Sequence, residues 1–129
     1  MKKISLFTKL IFHFSNLTLL ILYLYPGSIF GWLVYGDLQK QPSITSDFIV
    51  SSNHVYAFLF LTILGVISFK KNKIKILFKY LFSISIILEL CHGIIPERTF
   101  QYSDLFGNIL GVLLVFLVFN FKQYFKNQK

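Results

Sequence analysis

Apolar residues fall in four runs separated by short polar breaks. The first covers Leu10 to Tyr25, extends to about Phe7 with Lys9 snorkelling toward headgroups, and is ended by Pro26 and Gly27. The second runs from about Ser52 to Phe69 and stops at Lys70-Lys71-Asn72-Lys73. The third covers about Ile76 to Ile95, closed by Pro96, and the fourth about Asp104 to Phe121, followed by Lys122. Each is near the ~20 residues a helix needs to cross hydrocarbon. Backbone groups in lipid must be satisfied within the segment, which selects helices, and the runs lack the alternation of a membrane strand. The pattern predicts an all-α, polytopic membrane protein: one domain over residues 1–129, a bundle of four transmembrane helices at about 7–25, 52–69, 76–95 and 104–121.

The only long connection is 26–51. Its apolar start, Ile29-Phe30-Gly31-Trp32-Leu33-Val34-Tyr35, is too short to cross and too apolar for a free loop, so an interfacial or re-entrant segment is expected there. Tyr23, Tyr25, Trp32, Tyr35, Tyr56 and Tyr102 fall near one boundary of this arrangement, with Tyr80 and Tyr124 near the other. Amphipathic rings favour that depth.

Composition agrees: 55% of the residues are hydrophobic and 14% charged, against roughly a quarter charged in soluble domains. One cysteine and this apolar content exclude a disulfide framework and a disordered chain. The charge of +8 divides by side. Lys2, Lys3 and Lys9, then Lys70, Lys71, Lys73, Lys75 and Lys79, then Lys122, Lys126 and Lys129 share one face, against Lys40 and Arg98 on the other. Lysines mark the cytoplasmic side, so both termini are expected to be cytoplasmic and the chain multi-pass in the plasma (inner) membrane of a cell. Short lysine blocks at helix ends make no nucleic-acid groove; membrane lipids are the expected partner. The stretch from Tyr25 to Gly31 has no small-x-small cleavage pattern, so the first span is read as uncleaved.

All five acids, Asp37, Asp47, Glu89, Glu97 and Asp104, fall in the outer half, with His54, His92 and Arg98. Glu89 and His92, three apart, share a helix face. With span three ending near Ile95, Glu89 lies about 9 Å below the outer boundary, where a carboxylate costs a few kcal/mol unless paired, protonated or hydrated. Asp104 and Asn108 share a stripe with Gly107 and Gly111, and His54 heads a stripe with Ala57, Leu61, Gly65 and Ser68. Small residues permit close helix approach, which would gather His54, Glu89, His92, Asp104 and Asn108 into one pocket under Arg98. The same small-residue faces could serve oligomerisation, although the polar neighbours of Gly107 and Gly111 turn that face inward.

Glu89-Leu-Cys-His92, Pro96-Glu-Arg98 and Asp104-Leu-Phe-Gly-Asn108-Ile-Leu-Gly111, with an earlier His54, resemble the signature of the VanZ-like membrane protein family over about residues 50–115. The family pattern is a Glu followed three residues later by a polar residue, usually Gln, a Pro-x-Arg loop, and an Asp-x-x-x-Asn-x-x-Gly helix. His92 replaces the usual Gln, and Val50 and Ser51 stand where an Asp-Lys pair often precedes the histidine. The family is named for teicoplanin (glycopeptide) antibiotic resistance, so the resemblance implies a cell-envelope role without fixing an activity.

Four readings of the cluster follow. In one, Arg98, His92 and Asn108 bind a lipid-linked or amphiphilic envelope molecule, while Glu89, His54 and Asp104 are candidate catalytic acid–base groups; binding without catalysis fits the same residues. In another, the cluster only fixes helix packing in a non-catalytic scaffold or accessory subunit. A metal reading draws on the N and O donors of Glu-x-x-His, His54 and Asp104, but the spacing is generic and no metal or cofactor is assigned. An ion path is the fourth, and four short spans make it thin. His13 and Asn16 read as a packing pair, and Cys91 as a small apolar neighbour.

Overall fold

The structure is a computed structural model that describes residues 2–128, with side chains from Leu6 onward. Lys129 and the side chains of Lys2 and Lys3, which the charge pattern assigns to the cytoplasmic side, lie outside the described residues. Five helices and no strand occur among the described residues: α1 Lys2–Leu24, α2 Ile29–Tyr35, α3 Ser52–Ser68, α4 Lys71–His92 and α5 Tyr102–Asn127. The all-α class is thus as expected. Two helical segments, Leu6–Leu24 and Tyr102–Asn127, have the length and apolarity to cross a membrane. α3 is apolar but 17 residues long, and the 22 residues of α4 include four lysines and Glu89.

Several boundaries differ from the hydropathy pattern, for local reasons. The lysine block at 70–75 was expected outside the third span, yet α4 begins at Lys71. Lysine is a good helix former, and a water-exposed turn keeps its charges solvated. At the other end α4 stops at His92 rather than near Ile95: the Gly93 amide returns to Leu90 and Cys91 carbonyls. Pro96 disfavours helical geometry at Ile95, and Glu97 takes a positive φ of 60° in the tight turn. Glu89 consequently lies one turn, about 4.5 Å, from the helix end.

The apolar stretch after Pro26 is a short helix. Ser28 caps α2 by accepting the Gly31 amide at 2.9 Å, and Gly36 ends it at φ 67°, a conformation that costs a side-chain-bearing residue. The Ser28 amide bonds the Leu38 carbonyl at 2.7 Å, folding 36–40 back over α2. Residues 41–51 are irregular and pinned to α3 by side chains. Asn53 donates to Pro42 O at 2.7 Å and accepts from the Ile44 amide, while Asp47 accepts the Ser52 amide at 2.7 Å.

α3 and α4 each pack on the other three long helices, and α3–α5 is the most extensive pairing. The expected glycine stripe makes that pairing close: a Cβ on Gly111 would stand 2.6 Å from Val55 O and 2.8 Å from Leu59 N. Phe58, Leu61, Phe78, Leu81, Leu88 and Val112 form the centre of the core. Large apolar side chains also face outward, and several polar ones are enclosed in the core. Phe14, Leu17, Ile67, Val118 and Phe121 are each more than half exposed, whereas Glu89, Asn108, Thr62 and Ser85 are fully buried.

Candidate functional site

The polar residues singled out along the chain converge where α1 and α4 end and α3 and α5 begin. His54 sits in the first turn of α3 and Asp104 in the first turn of α5, two helices that start side by side with the Ser51 amide bonded to Ser103 O at 3.1 Å. His54 Nε2 and Asp104 Oδ2 are 3.4 Å apart. On α4, Glu89 Oε2 lies 3.1 Å from His92 Nδ1, so the i,i+3 face is realised. One ligand-type atom from each of His54, Glu89 and Asp104 falls within 4.8 Å of the others. His54, Glu89, His92 and Asn108 are buried, and the Asp104 side chain is 17% exposed.

Asn108 acts as the fixed point of the network. Its Nδ2 donates to Ser85 O at 3.1 Å, which turns Oδ1 toward Tyr23 and His54. The Tyr23 hydroxyl donates to that Oδ1 at 2.7 Å, and His54 Nδ1 is 3.0 Å from both oxygens. Tyr23 also stacks on His92, ring centroids 5.5 Å apart, and its carbonyl receives His92 Nε2 at 3.0 Å. Tyr23 thus touches both histidines and Asn108. The hydropathy pattern reads it as a boundary aromatic, yet a signal was present: Phe12, Leu19 and Tyr23, spaced seven and four, are the buried positions among the described side chains of α1.

Glu89 has a second attachment. Its Oε1 accepts the amide of Gln101, the cap residue of α5, at 3.0 Å. The carboxylate therefore holds an otherwise orphaned helix-start donor and a favourable place in the α5 dipole, shared with Asp104. Its Oε2 has no hydrogen-bond partner and faces His92 Nδ1 at 3.1 Å.

Arg98, read from the sequence as a candidate ligand-binding residue, makes its hydrogen bonds to backbone carbonyls. Its Nη2 donates to Leu22 O at 2.7 Å and its Nε to Tyr25 O at 3.3 Å, so the guanidinium caps the end of α1. A cation there answers the negative end of the helix dipole. Partial burial lowers the Arg98 pKa from its ordinary value, and Glu89 and Asp104 act the other way. Beside it lies a polar cavity of about 120 Å³ lined by His92, Arg98, Asp104, Gln101, Ser28 and Gln39 among others. Room for several waters is available at that size. Gln39 reaches Glu97 at 2.7 Å across its rim.

The remaining polar residues lie elsewhere. Asn16 is bonded to the Tyr80 hydroxyl in both directions, at 2.7 and 2.9 Å, and His13 packs edge-on against Phe12 and Phe69. Both line one groove between α1 and α4. Asp37 and Asp47 organise the 36–51 loop. No protein-family model, curated protein or solved structure matches the chain.

Proposed function

We propose that the chain is a VanZ-like membrane protein of the cell envelope that binds or modifies a lipid-linked or amphiphilic envelope molecule at its outer face. In this reading α1, α3, α4 and α5 all cross the plasma membrane and both termini are cytoplasmic. The exposed apolar side chains of these helices support it, since their surroundings must be apolar. α4 reaches across with its lysines, all in the first nine residues, snorkelling to the inner headgroups.

The observation that carries the reading is convergence. Four ionisable or amide side chains, His54, Glu89, His92 and Asn108, are buried together beside Asp104, Arg98 and a polar cavity. Ionisable groups at membrane depth are functional by default, because packing contacts there average only about 0.6 kcal/mol each. His54, Glu89 and Asp104 are the candidate acid–base groups, and Arg98, His92 and Asn108 the candidate binding groups.

A specific observation favours the alternative, a non-catalytic scaffold or accessory subunit: Arg98 and Asn108 are both committed to internal partners. Lipid analysis of the purified protein separates the two. A phospholipid or polyprenyl lipid that copurifies with the chain, and is lost in Arg98→Ala and Glu89→Gln, supports the ligand site. Lipid content unchanged by both substitutions supports the scaffold.

A further inference from the structure

The hydrogen-bond pattern fixes one ring proton on each histidine. Asn108 Oδ1 can only accept, and the single Tyr23 hydroxyl proton is already donated to it. His54 Nδ1, 3.0 Å from both oxygens, must therefore carry a hydrogen and donate. That leaves the Nε2 lone pair facing Asp104 Oδ2 at 3.4 Å. His92 repeats the arrangement: Nε2 donates to the Tyr23 carbonyl, which leaves Nδ1 facing Glu89 Oε2 at 3.1 Å. With both rings neutral, two acceptors thus meet two carboxylate oxygens in a buried site. A cation, a proton or a metal ion, belongs between them, and Arg98 does not supply it: among the described residues it forms no ion pair with either carboxylate, and its Nε and Nη2 are on the α1 carbonyls.

We propose that His54 Nε2, Glu89 and Asp104 form a binding site for a divalent transition metal of the zinc type. Three observations fit this cation better than protons alone. The donor atoms lie within 4.8 Å of one another, close enough that rotation of the carboxylates would bring all three onto one ion. The His54–Asp104 separation of 3.4 Å is that of two ligands on a tetrahedral ion with bonds of about 2.0–2.1 Å. Glu89 is fully buried, and its Oε2 has no hydrogen-bond partner. One imidazole and two carboxylates leave a fourth position open, as in catalytic zinc sites, and the polar cavity reaches the site at Asp104. The supporting shell is already formed. His54 Nδ1–H bonds to Asn108, which bonds to Ser85, the arrangement that orients metal-bound imidazoles, and the Gln101 amide holds Glu89 Oε1.

The site uses the same pocket as the envelope-ligand reading but does not depend on it. The test is a titration of the 129-residue chain, purified in detergent and stripped by a chelator, with Zn²⁺ and with Co²⁺. One equivalent bound per chain is expected, with the visible absorption of a four- or five-coordinate Co²⁺. Asp104→Asn and His54→Ala should abolish it, Asn108→Leu should weaken it about 10–100-fold, and His13→Ala should leave it unchanged. The wild-type titration does not depend on any variant folding. Absence of stoichiometric binding there, or binding that survives both Asp104→Asn and His54→Ala, overturns the proposal. A chain that binds metal but no lipid refutes the ligand reading alone; one that binds lipid but no metal refutes this site alone.

Discussion

The Tyr23 hydroxyl donates to Asn108 Oδ1 at 2.7 Å and so joins the end of α1 to the first turns of α5, with His54 of α3 wedged 3.0 Å from both. Three helices meet at one acceptor atom. The Tyr23 proton also decides the His54 tautomer, so this bond links packing to the chemistry of the pocket.

Tyr23→Phe keeps the ring that stacks on His92 but removes that donor. His54 still donates to Asn108 Oδ1, so no buried acceptor is orphaned. A loss of about 1 kcal/mol is expected, near the upper end for intramembrane hydrogen bonds. A thermal scan in detergent reads it as a drop of a few degrees. No change would mean that Tyr23 contributes only its ring.

Gly111 gives a sharper steric test. An added Cβ meets the backbone of α3, Val55 O at 2.6 Å and Leu59 N at 2.8 Å, and backbone cannot rotate away. Gly111→Ala should destabilise by about 3 kcal/mol, the upper range for overpacking. At Gly36 an added Cβ meets nothing within 4 Å, and only the φ of 67° resists it, so Gly36→Ala should cost about 1 kcal/mol. The ranking of the two in one thermal assay checks the close α3–α5 approach; equal effects would contradict it.

These cases show what could be read from sequence. Helix existence followed from apolar runs, and the Gly107/Gly111 and His54 stripes followed from spacing, because periodicity reports which residues share a face. The cluster was legible because charges are scarce: five acids in 129 residues, all set apart from the lysine blocks, leave few ways to pair. Arg98 was harder. A Pro-Glu-Arg turn shows where the residue is, but not that α1 leaves its carbonyls open beside it. Tyr23 was missed because a tyrosine near a boundary usually needs no partner. Lys71 to Lys75 fall outside the apolar runs yet belong to α4, because hydropathy does not register helix propensity.

Arg98→Lys is the informative change at the α1 cap. Guanidinium bridges Leu22 O and Tyr25 O from two nitrogens, whereas an ammonium is a point charge on a flexible stem. Arg98→Lys should recover part of the roughly 1–2 kcal/mol that Arg98→Ala loses, since bonds to charged donors exceed neutral ones. Stability of both variants by chemical denaturation checks this. If Arg98→Ala is as stable as the parent, the cap carries little energy and Arg98 is left for a ligand.

The orientation of the four-span proposal can be tested without any ligand. Cys91 is the single native thiol, so Cys91→Ser gives a background into which single cysteines are placed. Lys40 follows α2, Thr99 lies between α4 and α5, and Asn72 lies at the start of α4. With both termini cytoplasmic, an impermeant thiol reagent added to intact cells should label Lys40→Cys and Thr99→Cys but label Asn72→Cys only after lysis. The reasoning is electrostatic: the lysines of 70–79 and of the α5 end belong to one side, and moving them outward would oppose the positive-inside bias. The reverse labelling pattern would invert the orientation. Labelling of all three in intact cells would remove the four-span arrangement itself, and with it the assignment of the His54–Asp104 pocket to the outer leaflet.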